Sequence, residues 1–379
     1  MAATLYPAAR AVAPALREHF ARHHAAARRD GHVDLAPLPA ADVIEAIVDA
    51  AFWASVRRQE GYVPRISLAF TPPDRAGRPL LFDTALPLGP SALARLAPAV
   101  ERPGIHLGVW GEPGELRVWG TTRAIPTLCF VLEVVAPGLL VVKHRLREEL
   151  PKFVNVAVLE GEKVKVLSGE AADLAHYPAV LTSLLGIDSP ASVADRDGVL
   201  ARLAVSMRAH GRGGSLLVVP AGPEAWRESI AGPLAYAVRP PYSELAELVR
   251  EAPDHRAERR WQDALGRVVE AVAGLTAVDG ATVITGDYDV LAFGAKIRRR
   301  EGQPEVEQVV VTEPVEGAAP AIVHPGQLGG MRHLSAAQFA HDQHDSLALV
   351  ASQDGRFTLF AWSPREERVG ARRLEALLL

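Results

Sequence analysis

Three short groups of polar residues in the C-terminal half could do chemistry, because each adjoins glycine or ends an apolar, strand-like run. They are Asp279-Gly280-Ala281, Arg332-His333 and Ser352-Gln353-Asp354. Glycine lets a ligand approach the backbone closely, so such positions can offer polar groups to it. An arginine guanidinium is a forked donor suited to phosphate oxygens, and a histidine adds a second donor. Carboxylate oxygens are the ligands that hard divalent cations such as Mg²⁺ or Mn²⁺ require.

Other polar clusters are more typical of solvated surface than of a site. His341-Asp342-Gln343-His344-Asp345 could bind zinc or iron, but it follows a helical stretch and fits a solvated loop. Arg298-Arg299-Arg300 is followed by an acid, which favours a charged strand end over a nucleic-acid patch. His23-His24 lies in an Arg-rich stretch without a carboxylate or cysteine at ligand spacing, which favours a solvated helix end over a metal site.

Composition sets bounds on the class of protein. The 379 residues are 49% hydrophobic and 23% charged, which is typical of a globular chain long enough for two cores. The net charge of −4 gives no general attraction to nucleic acid or to an anionic membrane. The one cysteine, Cys129, excludes an internal disulfide and a multi-thiolate metal site. Without a signal-peptide pattern or an apolar run of membrane-spanning length, the sequence predicts a cytoplasmic protein.

The N-terminal half predicts an α+β domain. Apolar residues recur at helical spacing over residues 5–29 and again over Pro39–Arg57. From Ile105 to Leu167, short apolar runs alternate with Gly or Pro turns, which indicates a meander of strands. Gly186 to Pro190 interrupts the next helical stretch. We place the boundary there, which gives domains of residues 1–188 and 189–379.

The C-terminal half predicts an α/β domain with a mixed central sheet flanked by helices. Ser215–Pro220 is a continuous apolar run of the kind buried on both faces of a sheet. Arg256–Leu275 has an apolar face at helical spacing, and a further helix is expected from Ser335. Because strands and helices alternate, helices are expected on both faces.

Taken in order, the three polar groups resemble the signatures of the diadenylate cyclase (DAC, DisA-type) domain. That family carries Asp-Gly-Ala, then Gly-Thr-Arg-His-Arg, then a strand that ends in Ser-Glu-Glu. This chain has Asp279-Gly280-Ala281, Gly330-Met331-Arg332-His333 and Ser352-Gln353-Asp354. The glycine-led strand from His210 to Pro220 extends the likeness. The resemblance implies a DAC-like fold for residues 189–379 and an N-terminal sensor domain of the DACNV kind.

The resemblance also implies a reaction and a set of site residues. A DAC domain condenses two ATP into cyclic di-AMP and pyrophosphate across a head-to-head pair, which implies a homo-oligomer that binds ATP or a cyclic dinucleotide. The catalytic residues implied are Asp279, Gly280, Ala281, Arg332 and His333. The nucleotide contacts implied are Gly294, Ala295, Gly330, Met331, Ser335 and Ser352. Mg²⁺ or Mn²⁺ would be held by Asp279 and Asp354.

Departures from the signatures keep a second function open. Met331 replaces the family threonine, Leu334 replaces an arginine, and Gln353 replaces an acid. Each change weakens contacts to phosphate or metal more than contacts to adenosine. The alternative to a cyclase is therefore a nucleotide-binding sensor of the same fold that turns over slowly or never. A structural interaction protein that binds no nucleotide is a third interpretation.

Overall fold

The computed structural model describes residues 5–32, 34–57, 64–112, 114–145, 153–167, 199–222, 224–251 and 258–379. The chain forms two compact units: Met1–Ser168 with Leu379, which we call unit 1, and Gly169–Leu378, which we call unit 2. The predicted domain boundary near residue 188 lies outside the described residues.

Unit 1 combines helices with one mixed sheet. Its helices are α1 (Pro7–Arg29), α2 (Ala41–Ser55) and α3 (Pro90–Leu96). Its strands are β1 (Ile66–Phe70), β2 (Leu80–Pro87), β3 (His106–Trp110), β4 (Arg117–Thr122), β5 (Phe130–Ala136), β6 (Leu139–Arg145), β7 (Phe153–Glu160) and β8 (Lys163–Val166). The eight strands follow the order β2-β4-β3-β1-β5-β6-β7-β8. Strand β1 pairs parallel with β3 and antiparallel with β5.

The core of unit 1 lies between the first helices and the sheet. Leu16 and Phe20 of α1 and Ile44 of α2 are fully buried, together with Leu107 and Phe130 of the sheet. Burial of apolar surface of this kind is the main favourable contribution to folding. The helical spacing read from the sequence therefore reports a real packing face.

Unit 2 alternates helices with strands. Its helices are α4 (Val199–Ala209), α5 (Glu244–Arg250), α6 (Arg259–Leu275) and α7 (Met331–Asp342). Its strands are β9 (Gly214–Val219), β10 (Tyr236–Tyr242), β11 (Ala281–Thr285), β12 (Val290–Ala295), β13 (Val309–Thr312), β14 (Ala321–Val323), β15 (Leu347–Ala351), β16 (Phe357–Ser363) and β17 (Arg368–Arg373). The nine strands follow the order β10-β12-β11-β9-β15-β16-β17-β13-β14.

Both faces of the unit 2 sheet are covered. Leu216 of β9 belongs to a core that includes Leu265 of α6, whereas the next residue, Leu217, belongs to a core that includes Phe339 of α7. Successive strand side chains point to opposite faces, so a strand buried on both sides must be apolar throughout. The predicted α/β fold class, with mixed sheets flanked by helices, is confirmed.

Two strands at the edges of the sheets are not predicted by the sequence pattern. Strand β10 contains Pro240 and Pro241, and β2 exposes Leu80 and Leu81. Both strands lie at the end of their sheet order. Edge strands need only one hydrogen-bonded neighbour, so they tolerate proline and do not show the apolar alternation of a central strand. In the part of the chain that the structure describes, no helix has the length and apolarity to cross a bilayer.

Candidate functional site

The topology of unit 2 brings loops that are distant in sequence to one edge of the sheet, the edge formed by the ends of its central strands. Strands β9 and β11 pair parallel, with Ala281 opposite Ser215, so the loops that precede both strands lie at the same edge. Strand β15 pairs antiparallel with β9, with Ala351 opposite Gly214, so the turn that follows β15 reaches that edge as well. Residues far apart in the sequence are therefore neighbours here.

A cleft of about 550 Å³ opens at this edge. It is lined by Asp279, Leu328, Gly329, Gly330, Met331, Arg332, His333, Ala351, Ser352, Gln353, Asp354 and Arg356. The predicted catalytic residues Asp279, Arg332 and His333 thus lie on one cleft, together with the predicted metal ligand Asp354 and the predicted nucleotide contact Ser352. Their chemical roles stay predictions.

Asp279 lies in the loop between α6 and β11, where its side chain is 89% exposed. Its Oδ2 contacts Nζ of Lys296, which follows β12, at 2.5 Å. The hydrogen bond from Lys296, together with the charge of that ammonium, lowers the pKa of the Asp279 carboxyl, and the charge of Arg332 acts in the same direction. Asp279 is therefore an ionised, solvent-facing carboxylate with a cation already beside it.

Arg332 lies in the first turn of α7, since the helix begins at Met331 and not at Ser335 as the sequence predicts. Its guanidinium packs over Gly213, where an added Cβ would come within 2.8 Å of a terminal nitrogen. A glycine ahead of β9 thus makes room for the arginine. This packing directs a forked cation toward the cleft from a rigid helix.

His333 is buried, with 2% of its surface exposed, and its Nε2 has no hydrogen-bond partner among the described residues. The imidazole packs closely against Gly329 and meets the Phe360 ring edge-on at 6.0 Å. Burial lowers the pKa of His333, while the charge of Asp354 acts in the opposite direction. A buried polar atom without a partner is costly, so His333 contributes an unusual feature to the wall of the cleft.

The turn after β15 carries the third group. The carboxylate of Asp354 accepts a hydrogen bond of 3.2 Å from the backbone amide of Arg356, and the side chain of Asp354 is 55% exposed. Gln353 donates from Nε2 to the carbonyl of Arg212 at 3.3 Å, which ties this turn to the loop before β9. That loop is in turn joined to the Asp279 loop by His210, whose Nε2 lies 3.2 Å from Thr276 Oγ1.

The predicted nucleotide contacts Gly330 and Met331 line the cleft as well, whereas Gly280, Ala281, Gly294, Ala295 and Ser335 do not. Gly280 has φ +117° and lies so close to the backbone of Gly294 that a Cβ would overlap it. Ala281 and Ala295 are buried and pair across β11 and β12. Gly294 packs beneath Tyr236, whose ring stacks on Phe293. Ser335 is half-buried on the next turn of α7. Gly280, Ala281, Gly294 and Ala295 pack beside the loop that carries Asp279 instead of facing the cleft.

Lys296, the partner of Asp279, was not predicted as a functional residue. Because Ala281 is the antiparallel partner of Ala295, the residue after Ala295 comes beside the residues before Ala281. The sequence did offer a signal for this residue, because Lys296 is a charged residue directly after Gly294-Ala295, at the end of a β-hairpin. Arg356, which also lines the cleft, was missed because it follows the signature residues.

The histidine clusters differ from the sequence interpretation. His24 is buried and does not lie at a solvated helix end, and His19 on the same helix is buried too. In unit 2, His341 contacts the carboxylate of Asp342 at 3.1 Å, and His344 stacks on Trp362. Among the described residues, the metal-competent group of three or more side chains is His19, His23 and His144 in unit 1.

The fold and the cleft define a protein of two α/β units, one of which carries a cleft with both carboxylates and cations. Residues 33–123, a range that contains α2 and strands β1 to β4, match the model of a family described as a probable sensor domain, DACNV. The predicted sensor domain is confirmed for these residues. A diadenylate cyclase domain is not detected in the chain, and no curated protein matches it.

Proposed function

We propose that unit 2 binds ATP in the cleft described above and, as one half of a symmetric pair, condenses two ATP into cyclic di-AMP. The observation that carries the proposal is the convergence of Asp279, Arg332 and His333 on one cleft. A triphosphate needs a forked cation, a further donor and nearby carboxylates for its metal ion, and this cleft offers all of them. The sensor-domain match over residues 33–123 supports the same assignment.

In this reaction, the ribose 3′-hydroxyl of each ATP attacks the α-phosphorus of the other. Two phosphodiester bonds form, two phosphoanhydride bonds break, and two pyrophosphates and two protons leave. Asp279 holds the 3′-hydroxyl and accepts its proton, while Arg332 and His333 bind phosphate oxygens. Positioning and electrostatics supply most of the acceleration in such a step.

A divalent ion fits the donor set of the cleft. Asp279 and Asp354 both line the cleft, and both carboxylates are exposed. Hard ions such as Mg²⁺ or Mn²⁺ take oxygen ligands of this kind. When bound, the ion neutralises charge on the phosphates and polarises the attacked phosphorus. These two carboxylates would hold it together with phosphate oxygens.

The reaction requires two copies of the chain. The product is two-fold symmetric, and one cleft supplies one set of groups, so a partner cleft must face it across an isologous contact. We therefore propose a homo-oligomer as the active form. Unit 1 would bias this pairing in response to its own ligand or partner.

The second candidate function is a nucleotide sensor without turnover. The contact between Lys296 and Asp279 and the replacement at Met331 favour it. Lys296 occupies Oδ2 of Asp279, so the ammonium competes with a metal ion for the carboxylate. Met331 is 73% exposed at the cleft and brings no hydroxyl to the phosphates. Under this proposal the cleft binds ATP or a cyclic dinucleotide and the bound state is the signal.

Incubation of the full chain with ATP and Mn²⁺, with detection of pyrophosphate and cyclic di-AMP, tests the enzyme proposal. Calorimetry with ATP, a non-hydrolysable ATP analogue and cyclic di-AMP runs in parallel. Product formation supports the cyclase, whereas binding without product supports the sensor. Absence of both binding and product overturns both proposals and leaves an interaction protein.

A further inference from the structure

Three histidines of unit 1 converge on one point of the interior. His19 and His23 lie one helical turn apart on α1, and His144 lies near the end of β6. One ring nitrogen from each lies within 4.8 Å of those of the other two. Positions i and i+4 share a helix face, so α1 can present both imidazoles to the strand.

The hydrogen bonds leave ring nitrogens of the cluster able to accept a metal ion. His23 Nδ1 lies 2.9 Å from the carbonyl of His19, an arrangement in which Nδ1–H donates and Nε2 stays free to accept. His19 is 4% exposed, and its Nε2 has no hydrogen-bond partner among the described residues. His144 is 2% exposed, with Nδ1 3.5 Å from the carbonyl of Arg145. A backbone acceptor on the second ring nitrogen is the usual support of a metal-bound histidine.

The surroundings keep the two buried imidazoles, His19 and His144, neutral. Burial is the main cause that lowers the pKa of His144 to about 4 and that of His19 to about 3. The rings of Phe20 and Phe130 pack beside the cluster and form part of an apolar shell. Neutral imidazole is the form that binds a metal ion, and an apolar shell limits access of water to it.

We propose that His19, His23 and His144 form a transition-metal site of the zinc class, with three imidazole ligands and an open fourth position. Imidazole suits zinc and its neighbours in the first transition series, and three protein nitrogens with one open position is a known zinc arrangement. The site lies outside residues 33–123, so the family match does not assign it. It is independent of the function proposed for unit 2.

The three imidazole rings must move slightly before their nitrogens can all bind one ion. With Zn–N bonds of about 2.0–2.1 Å, tetrahedral ligand nitrogens are roughly 3.3 Å apart. The nitrogens, which lie within 4.8 Å of one another, therefore close around an ion by rotation of the imidazole rings, without a change of the backbone elements that carry them. His23, which is only half-buried, has the most room to rotate.

The test uses the full chain, stripped of metal with a chelator and then titrated with Zn²⁺ against a chromophoric competitor. We expect one Zn²⁺ per chain, and we expect His23→Gln to weaken its affinity at least about ten-fold. His24→Gln is the matched control, since His24 is buried on the same helix but stands outside the cluster. Asp279→Asn should leave Zn²⁺ affinity unchanged, which separates this site from the cleft of unit 2.

Two spectroscopic readouts on the unsubstituted chain remain valid even where a variant folds poorly. Co²⁺ should give the intense visible absorption of a four-coordinate ion, and Zn²⁺ should shift the imidazole ¹⁵N signals of the three histidines together. Weak six-coordinate Co²⁺ absorption, an unchanged Zn²⁺ affinity in His23→Gln, or equal loss in His24→Gln would each overturn the proposal.

Discussion

The two units present their reactive side chains in opposite ways. In unit 2, the carboxylates of the cleft stand in solvent, with the Asp279 side chain 89% exposed and that of Asp354 55% exposed. In unit 1, His19 and His144 are 4% and 2% exposed and neutral. A solvated charged group can change its partner when a ligand arrives, whereas packing limits buried imidazoles to small rotations of their rings. Substitutions in the cleft should therefore change ligand chemistry without unfolding, and substitutions inside unit 1 should change stability.

The largest expected effect is on turnover. Asp279→Asn removes the carboxylate proposed to accept the 3′-hydroxyl proton, and we expect cyclic di-AMP formation to fall at least about 100-fold. The thermal unfolding midpoint should be unchanged, because the side chain is exposed. Asp287→Asn is the control, since this exposed aspartate follows β11 at the other end of the strand. Equal turnover in both variants would remove Asp279 from the mechanism.

The next effect concerns the stability of unit 1 in acid. Burial lowers the pKa of His106 to about 4, so unfolding at lower pH takes up a proton that the folded state excludes. Stability from this residue is complete above its unfolded pKa of about 6.5 and is lost as the pH falls toward 4, by on the order of 3 kcal/mol. Denaturant unfolding of His106→Asn at pH 7.5 and pH 5 should show a smaller difference than the unsubstituted chain.

A second variant separates titration of the ring from loss of its hydrogen bond. The Ser67 hydroxyl lies 2.7 Å from Nδ1 of His106. Ser67→Ala should lower stability at both pH values but keep the difference between them, because the buried imidazole remains. A pH difference that disappears in Ser67→Ala would contradict the burial argument.

An intermediate effect is expected on nucleotide affinity. Arg332→Lys keeps the charge but loses the planar fork, so ATP affinity should fall roughly ten-fold, about 1.4 kcal/mol. Arg368→Lys is the control. Arg368 is exposed at the start of β17, where the strands end on the side of the sheet away from the cleft. Calorimetry measures both, and an undiminished affinity in Arg332→Lys would place the triphosphate elsewhere.

The smallest effect tests the partner of Asp279. Lys296→Met removes the hydrogen bond and charge that lower the pKa of Asp279, so that pKa should rise toward the ordinary value of about 3.9. Lys296→Arg should keep it low. Carboxyl ¹³C NMR during an acid titration follows this residue, and an unchanged pKa in the methionine variant would mean that the ion pair is not maintained in solution.

Periodic patterns made much of the fold predictable. Helices α1, α2 and α6 and the buried strand β9 follow from apolar spacing, since each buries a face that the sequence repeats. The edge strands β10 and β2 did not follow, because a strand with one neighbour and one solvated side carries little apolar signal.

The candidate site was predictable in its residues but not in its contacts. Asp279, Arg332 and His333 stand out by type and by their glycine neighbours, and the structure brings them to one cleft. The ion pair of Asp279 with Lys296 depends on the register between β11 and β12. The three-histidine cluster joins α1 to β6, and spacing along one helix gave no sign of the third ligand.

The direction of strand β15 has a practical consequence. Since β15 runs toward the cleft and β16 runs away from it, the exposed turn Pro364–Glu367 between β16 and β17 marks the opposite end of the sheet. A biotinylated peptide inserted in this turn would attach the protein to a sensor chip at the end of the unit 2 sheet that lies away from the cleft. Kinetic measurements of nucleotide capture could then be made without a tag near the groups that perform it.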